Sequence, residues 1–140
     1  MRLSTLAIGA VLIGALALPV RAAGTGDAAG NWKDPDTGAI LSFSDCDGDL
    51  CAKILTPSSP EKKDEFNPDP AKRATPLAGL AIMDHAKKAD DTSWKGDLYN
   101  TNDGKTYSGS VTVLAPDKLQ LKGCALIVFC KSLVLAKAAP

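Results

Sequence analysis

The chain has 140 residues, no formal net charge at pH 7, and only 5% aromatic side chains. A balanced charge argues against nucleic acid or an anionic membrane as a partner, since neither attracts such a chain electrostatically. Two Trp, three Phe and two Tyr are also few for a wide, aromatic-lined pocket.

Residues 1–22 read as a signal peptide. Arg2 supplies a short positive start, residues 6–18 are uncharged and apolar, and Pro19 breaks the run. Val20-Arg21-Ala22 then offers a cut after Ala22, with Ala23 as the expected mature N-terminus. The apolar run is shorter than the roughly 20 residues that span a bilayer. It has no polar face, which argues against an amphipathic first helix. Removing 22 of 140 residues leaves 118, enough for one domain with a modest core. Removing Arg2 and Arg21 leaves 14 basic against 16 acidic residues. A periplasmic or secreted location and an oxidising environment follow, with no membrane span in the mature chain.

Residues 23–29, "AGTGDAA", are small and are expected to be a flexible segment. "GNW" at 30–32 opens the domain, and "DPDTG" at 34–38 has the residues of a tight turn. "AILSFSDC" and "CAKIL" form two β-like runs around an Asp-Gly hairpin. Residues 56–76 hold five of the nine prolines and many charges, which predicts one long surface loop. Beyond it the chain is a meander. "TNDGK" at 101–105 signals a hairpin, and residues 106–113 alternate strictly between polar and mostly apolar faces. Strands are predicted at about 30–34, 39–46, 50–55, 79–84, 93–99, 105–114, 118–122 and 124–136, the last as one strand or two. This is an all-β chain. A small antiparallel up-and-down barrel of about eight strands closes such a sheet and removes its edges, as a single domain over 30–140 with a long loop at 56–76.

Cys46, Cys51, Cys124 and Cys130 all follow the predicted cut. An even count in a short exported chain reads first as disulfides. Zinc needs a compact set of thiolates and imidazoles, whereas these cysteines are spaced by four and five residues and His85 is the sole histidine. Of three possible connectivities the local one, Cys46–Cys51 with Cys124–Cys130, suits the short hairpin-like separations. The acidic loop "DCDGDLC" lacks the sixth-place glycine and twelfth-place glutamate of an EF-hand and reads as a solvated turn.

Gly30-Asn31-Trp32, "DCDGDLCAKI", "PLAGLAI" at 76–82, "WKGDLYNTNDGKTYSGSVTV" at 94–113 and "LKGCALIVFCKS" at 121–132 occur in an order that resembles a family of small exported bacterial proteins, domain-of-unknown-function family 2147. The most specific part is W-x-G-x-x-Y-x-x-x-x-G-K-x-Y-x-G, carried by Trp94, Gly96, Tyr99, Gly104, Lys105, Tyr107 and Gly109. The resemblance implies a lipocalin-like barrel and brings no established activity. Where family members often carry an arginine after the last cysteine and a tryptophan in the last strand, this chain has Lys131 and Leu135.

Trp32 resembles the tryptophan that closes the bottom of lipocalin-type barrels, with Lys131 or Lys137 available to lie over its ring. A plain core tryptophan is the other reading. His85 is expected at a strand end in water. No nucleophile elbow, zinc-protease or P-loop pattern occurs. Tyr99 and Tyr107 flank the "TNDG" turn and are expected to pair across it or, with Trp94, to form the mouth of a ligand site. The expected function is a non-enzymatic exported binding protein for a small apolar or amphipathic molecule, with no catalytic residue, metal or cofactor. The alternative is a protein-interaction module, such as an inhibitor of an exported hydrolase, acting through the 56–76 loop.

Overall fold

The computed structural model describes residue 14, residues 24–126 and residues 128–139. The predicted signal peptide and its cut therefore lie outside the described residues, Gly14 apart. Alternating side chains and tight turns build eight strands: β1 (Gly30–Lys33), β2 (Ile40–Cys46), β3 (Asp49–Thr56), β4 (Ala81–Lys88), β5 (Ser93–Asn100), β6 (Lys105–Ala115), β7 (Lys118–Ala125) and β8 (Phe129–Lys137). Each pairs antiparallel with its sequence neighbours, and β1 pairs with β8 through Trp32 opposite Lys137, closing the barrel.

The expected strands recur, but β4 runs from Ala81 to Lys88 instead of ending at 84, and there are two further differences. The sequence pattern separates 118–122 from 124–136, the latter as one strand or two, but Gly123 lies inside β7, opposite Gly109 and Lys131. The turn instead follows Ala125, within an apolar run that has no Gly, Pro or Asn to mark it. Leu126 takes the left-handed conformation there (φ 59°), and Cys124 opposite Cys130 ties the two strands together. The other difference is at 23–29, expected to be flexible. Thr25–Ala28 form one helical turn, α1, started by a bond from the Gly24 N–H to Oδ2 of Asp27 (2.6 Å). Small side chains suggest mobility by composition, but here they let Ala28 fit fully buried against the barrel.

The barrel has two unlike ends. At the lower end are the start of β1 and the β2–β3, β4–β5 and β6–β7 turns. Trp32, Phe43, Leu50, Trp94, Val111, Leu119 and Leu135 pack there with almost no exposure. Burial of such side chains stabilises by roughly 1.5–3 kcal/mol each. α1 covers this end, with the indole N–H of Trp32 donating to the Ala28 carbonyl (2.8 Å) and Thr25 donating to Asp45. At the upper end the β1–β2, β5–β6 and β7–β8 turns and the long β3–β4 connection surround an opening. No described helix is long and apolar enough to cross a membrane.

Candidate functional site

The upper half of the barrel is a cup of about 780 Å³. That lies within the range of small-molecule sites. Its floor and walls are apolar: Leu41 and Ile54 from β2 and β3, Ile82 from β4, Leu98 from β5, and Leu121 and Leu133 from β7 and β8. Its rim is polar, with Asp34, Lys62, Asn100, Asp103, Tyr107 and Lys131.

One of a row of three glycines, Gly123, leaves the wall of the cup open beside Leu98. Gly96, Gly109 and Gly123 lie side by side across β5, β6 and β7. A Cβ on Gly109 would stand 2.6 Å from the Leu98 Cβ, and one on Gly96 would stand 2.9 Å from the Ala86 Cα. These two positions let neighbouring elements approach. Gly123 differs: a Cβ there would meet Leu98 at an ordinary 3.4 Å, and the residue lines the cup itself. Below this row, Trp94, Val111, Leu121 and Leu133 form a paired layer that separates cup from core.

The three expected ligand residues do not come together. Trp94 faces inward but lies below the glycine row, fully buried, with the Lys88 ammonium 5.2 Å from its ring centroid, and it does not line the cup. Its indole N–H has no hydrogen-bond partner among the described residues. Tyr99 and Tyr107 do not face each other. The four-residue turn pairs Asn100 with Lys105, so Tyr99 meets Thr106 and Tyr107 meets Leu98. Two odd-numbered residues cannot be opposite in that register, and successive side chains alternate faces. Tyr107 stands at the mouth of the cup, its hydroxyl donating to Asp103. That bond raises the Tyr107 pKa above the usual phenol range and lowers that of Asp103. Tyr99 is turned to the long loop and contributes to the rim.

Leu98, Leu121, Gly123 and Leu133 line the cup without any aromatic or motif signal in the sequence. Leu98 shares the parity of Trp94 on β5, and Leu121 and Leu133 pair in turn with Val111 and with each other. Inward parity, rather than aromatic character, would have found them.

At the closed end Trp32 does have its cation. The Lys137 ammonium lies 4.4 Å from the ring centroid and donates to the Ala29 carbonyl (2.7 Å). Gly30 makes room for it, since a Cβ there would be 2.7 Å from Nζ. Lys131 instead lines the mouth of the cup. The cysteines pair as Cys46–Cys51 and Cys124–Cys130, the local connectivity. His85 is exposed, but it sits within β4 rather than at its end.

Residues 30–137 match the family described as "Uncharacterized protein conserved in bacteria (DUF2147)". The chain belongs to this family. No curated protein matches it. Among solved structures it is similar to protein HP1028 from Helicobacter pylori, described as belonging to the lipocalin family. The two share 24% identity over 72% of this chain and 73% of that one, with a TM-score of 0.64. The likeness shows a lipocalin-like fold for this member of the family.

Proposed function

We propose that this protein is an exported, non-enzymatic binding protein that holds one small apolar or amphipathic molecule in the cup. The observation that carries the reading is the division of the site into an apolar floor and a polar rim. An amphiphile buries its hydrocarbon against Leu98, Leu121 and Leu133 and leaves its polar end among Tyr107, Asp103 and Lys131. The lipocalin-like fold and the resemblance of residues 1–22 to a signal peptide support the reading, as do the two disulfides.

The alternative, an interaction module acting through the 56–76 loop, has less support. That loop folds back on the barrel rather than projecting from it. Lys63 bridges to Pro76, Asp64 is fully buried, and Pro57, Ser58 and Lys62 line the cup.

Solvent extraction of the protein purified from a bacterial periplasm, followed by mass spectrometry, tests the proposal. A near-stoichiometric apolar or amphipathic molecule is the expected result. Turnover of a substrate that a single point substitution abolishes would overturn it.

A further inference from the structure

The lower rim carries a second cluster, far from the cup. Cys46, Cys51 and His85 each place a ligand-type atom within 4.8 Å of the others. Two features of the backbone bring the imidazole there. Pairing of β4 is irregular on both sides, with register shifts against β3 and again between Met83 and Lys87 against β5. His85 itself is left-handed, at φ 50°. Such an irregularity re-aims a side chain, and a left-handed residue other than glycine is held in place by its surroundings.

The neighbours suit a cation. The His85 N–H donates to Sγ of Cys51 at 3.3 Å. Oδ1 of Asp84 lies 2.7 Å from Nδ1 of His85 and 3.3 Å from Sγ of Cys51. A carboxylate beside an imidazole fixes its tautomer and ring orientation. Asp47 stands 3.8 Å from Nε2. The other two carboxylates of the hairpin are engaged, Asp45 by Thr25 and Asp49 by Lys87.

With the sulfurs bonded to each other the set is closed to metal. We infer that reduction of Cys46–Cys51 turns this cluster into a site for a thiophilic divalent cation such as Zn²⁺, with both thiolates and His85 as ligands and a carboxylate, Asp84 or Asp47, beside them. The reductant is a dithiol. Two successive exchanges break the Cys46–Cys51 bond, the reductant leaves as its own disulfide, and its two thiol protons pass to Cys46 and Cys51. The cation then displaces both protons as it binds. Thiolates about 3.8 Å apart suit a tetrahedral zinc ion, a small separation from the bonded pair. The disulfide closes a short hairpin, with a sequence separation of 5, so it constrains the unfolded chain less than a long-range bridge would. The site thus reads redox state as metal occupancy.

The test titrates Co²⁺ and then Zn²⁺ into the full chain, untreated and after reduction by a phosphine, which supplies no thiolate of its own. Reduced protein is expected to bind one equivalent of Co²⁺ with a thiolate-to-cobalt charge-transfer band, displaced by Zn²⁺, while untreated protein shows no band. His85→Asn keeps the left-handed backbone, which asparagine tolerates, and is expected to weaken binding at least tenfold. Cys46→Ser/Cys51→Ser is expected to abolish the band. Loss of the β-sheet circular dichroism on reduction, absence of the band in folded reduced protein, or a band undiminished by His85→Asn would each overturn the inference.

Discussion

The Tyr99 hydroxyl donates a 2.7 Å hydrogen bond to Oδ1 of Asp64, a carboxylate with no solvent exposure, 35 positions away in the chain. The other oxygen of Asp64 accepts from the Asn67 amide (2.7 Å), and its N–H donates to the Thr75 carbonyl (2.9 Å). A proline-rich segment that holds a three-residue 3₁₀ helix, Pro70–Lys72, and the Lys63–Pro76 bridge is thereby pinned to β5, where it forms one wall of the cup's mouth. Tyr99→Phe leaves a buried carboxylate short of one donor. It is expected to cost about 1.5–3 kcal/mol in urea unfolding and to speed amide exchange in residues 62–77.

The same pair predicts an alkaline limb in stability. Burial first, and then the bond to Asp64, raise the Tyr99 pKa to about 12 from an ordinary value of 10.0. The folded state therefore holds the phenolic proton more tightly than the unfolded one. The contribution is complete below about pH 10 and is lost as pH rises toward about 12. In unfolding measured across that range, Tyr99→Phe is expected to flatten the decline.

Gly104 has two reasons to be glycine. It is left-handed (φ 69°), and a Cβ would lie 1.7 Å from the Phe66 carbonyl oxygen, where the long loop crosses the β5–β6 hairpin. Gly48 is also left-handed (φ 86°) but has nothing within 4 Å of a Cβ. Gly48→Ala therefore measures conformational cost alone, about 1–2 kcal/mol. Gly104→Ala is expected to cost more than Gly48→Ala in the same denaturant series, because the loop must also move.

Lys137 ties the last strand of the barrel to the first, through the Trp32 ring and the Ala29 carbonyl. Lys137→Met keeps the aliphatic stem and removes the charge. The expected loss is about 1–2 kcal/mol, with a changed tryptophan emission as α1 loosens over Trp32.

If residues 1–22 act as a signal peptide, the exported protein begins at Ala23. Intact mass of protein recovered from the periplasm reads this directly. A chain still starting at Met1 would remove the argument for export.

The barrel was legible because its signals are local. Period-two alternation in residues 106–113, Asp-Gly and Asn-Asp-Gly turns, and cysteine spacing each act over a few residues. The cup was less so, because it depends on register. Aromatic character pointed to Trp94, Tyr99 and Tyr107, but strand parity buries the first, turns the second toward the loop and leaves only Tyr107 facing inward at the mouth. The glycine row is also a register effect, since Gly96, Gly109 and Gly123 lie far apart in sequence and adjacent in the sheet. The position of the β7–β8 turn within 124–136 is unmarked in the sequence because its left-handed residue is a leucine.

Gly123 gives the most direct test of the cup. A leucine there projects into the cavity while its Cβ makes only ordinary contacts, so the variant should fold and the site should be filled. A dansyl-labelled aliphatic acid, titrated into the wild type and followed by emission, is expected to bind saturably at one per chain with a blue shift. Gly123→Leu, with unchanged circular dichroism, is expected to bind at least tenfold more weakly, and Tyr107→Ala more weakly than wild type. Affinity unaltered by Gly123→Leu, or no saturable binding by the wild type, would contradict a ligand held in the cup.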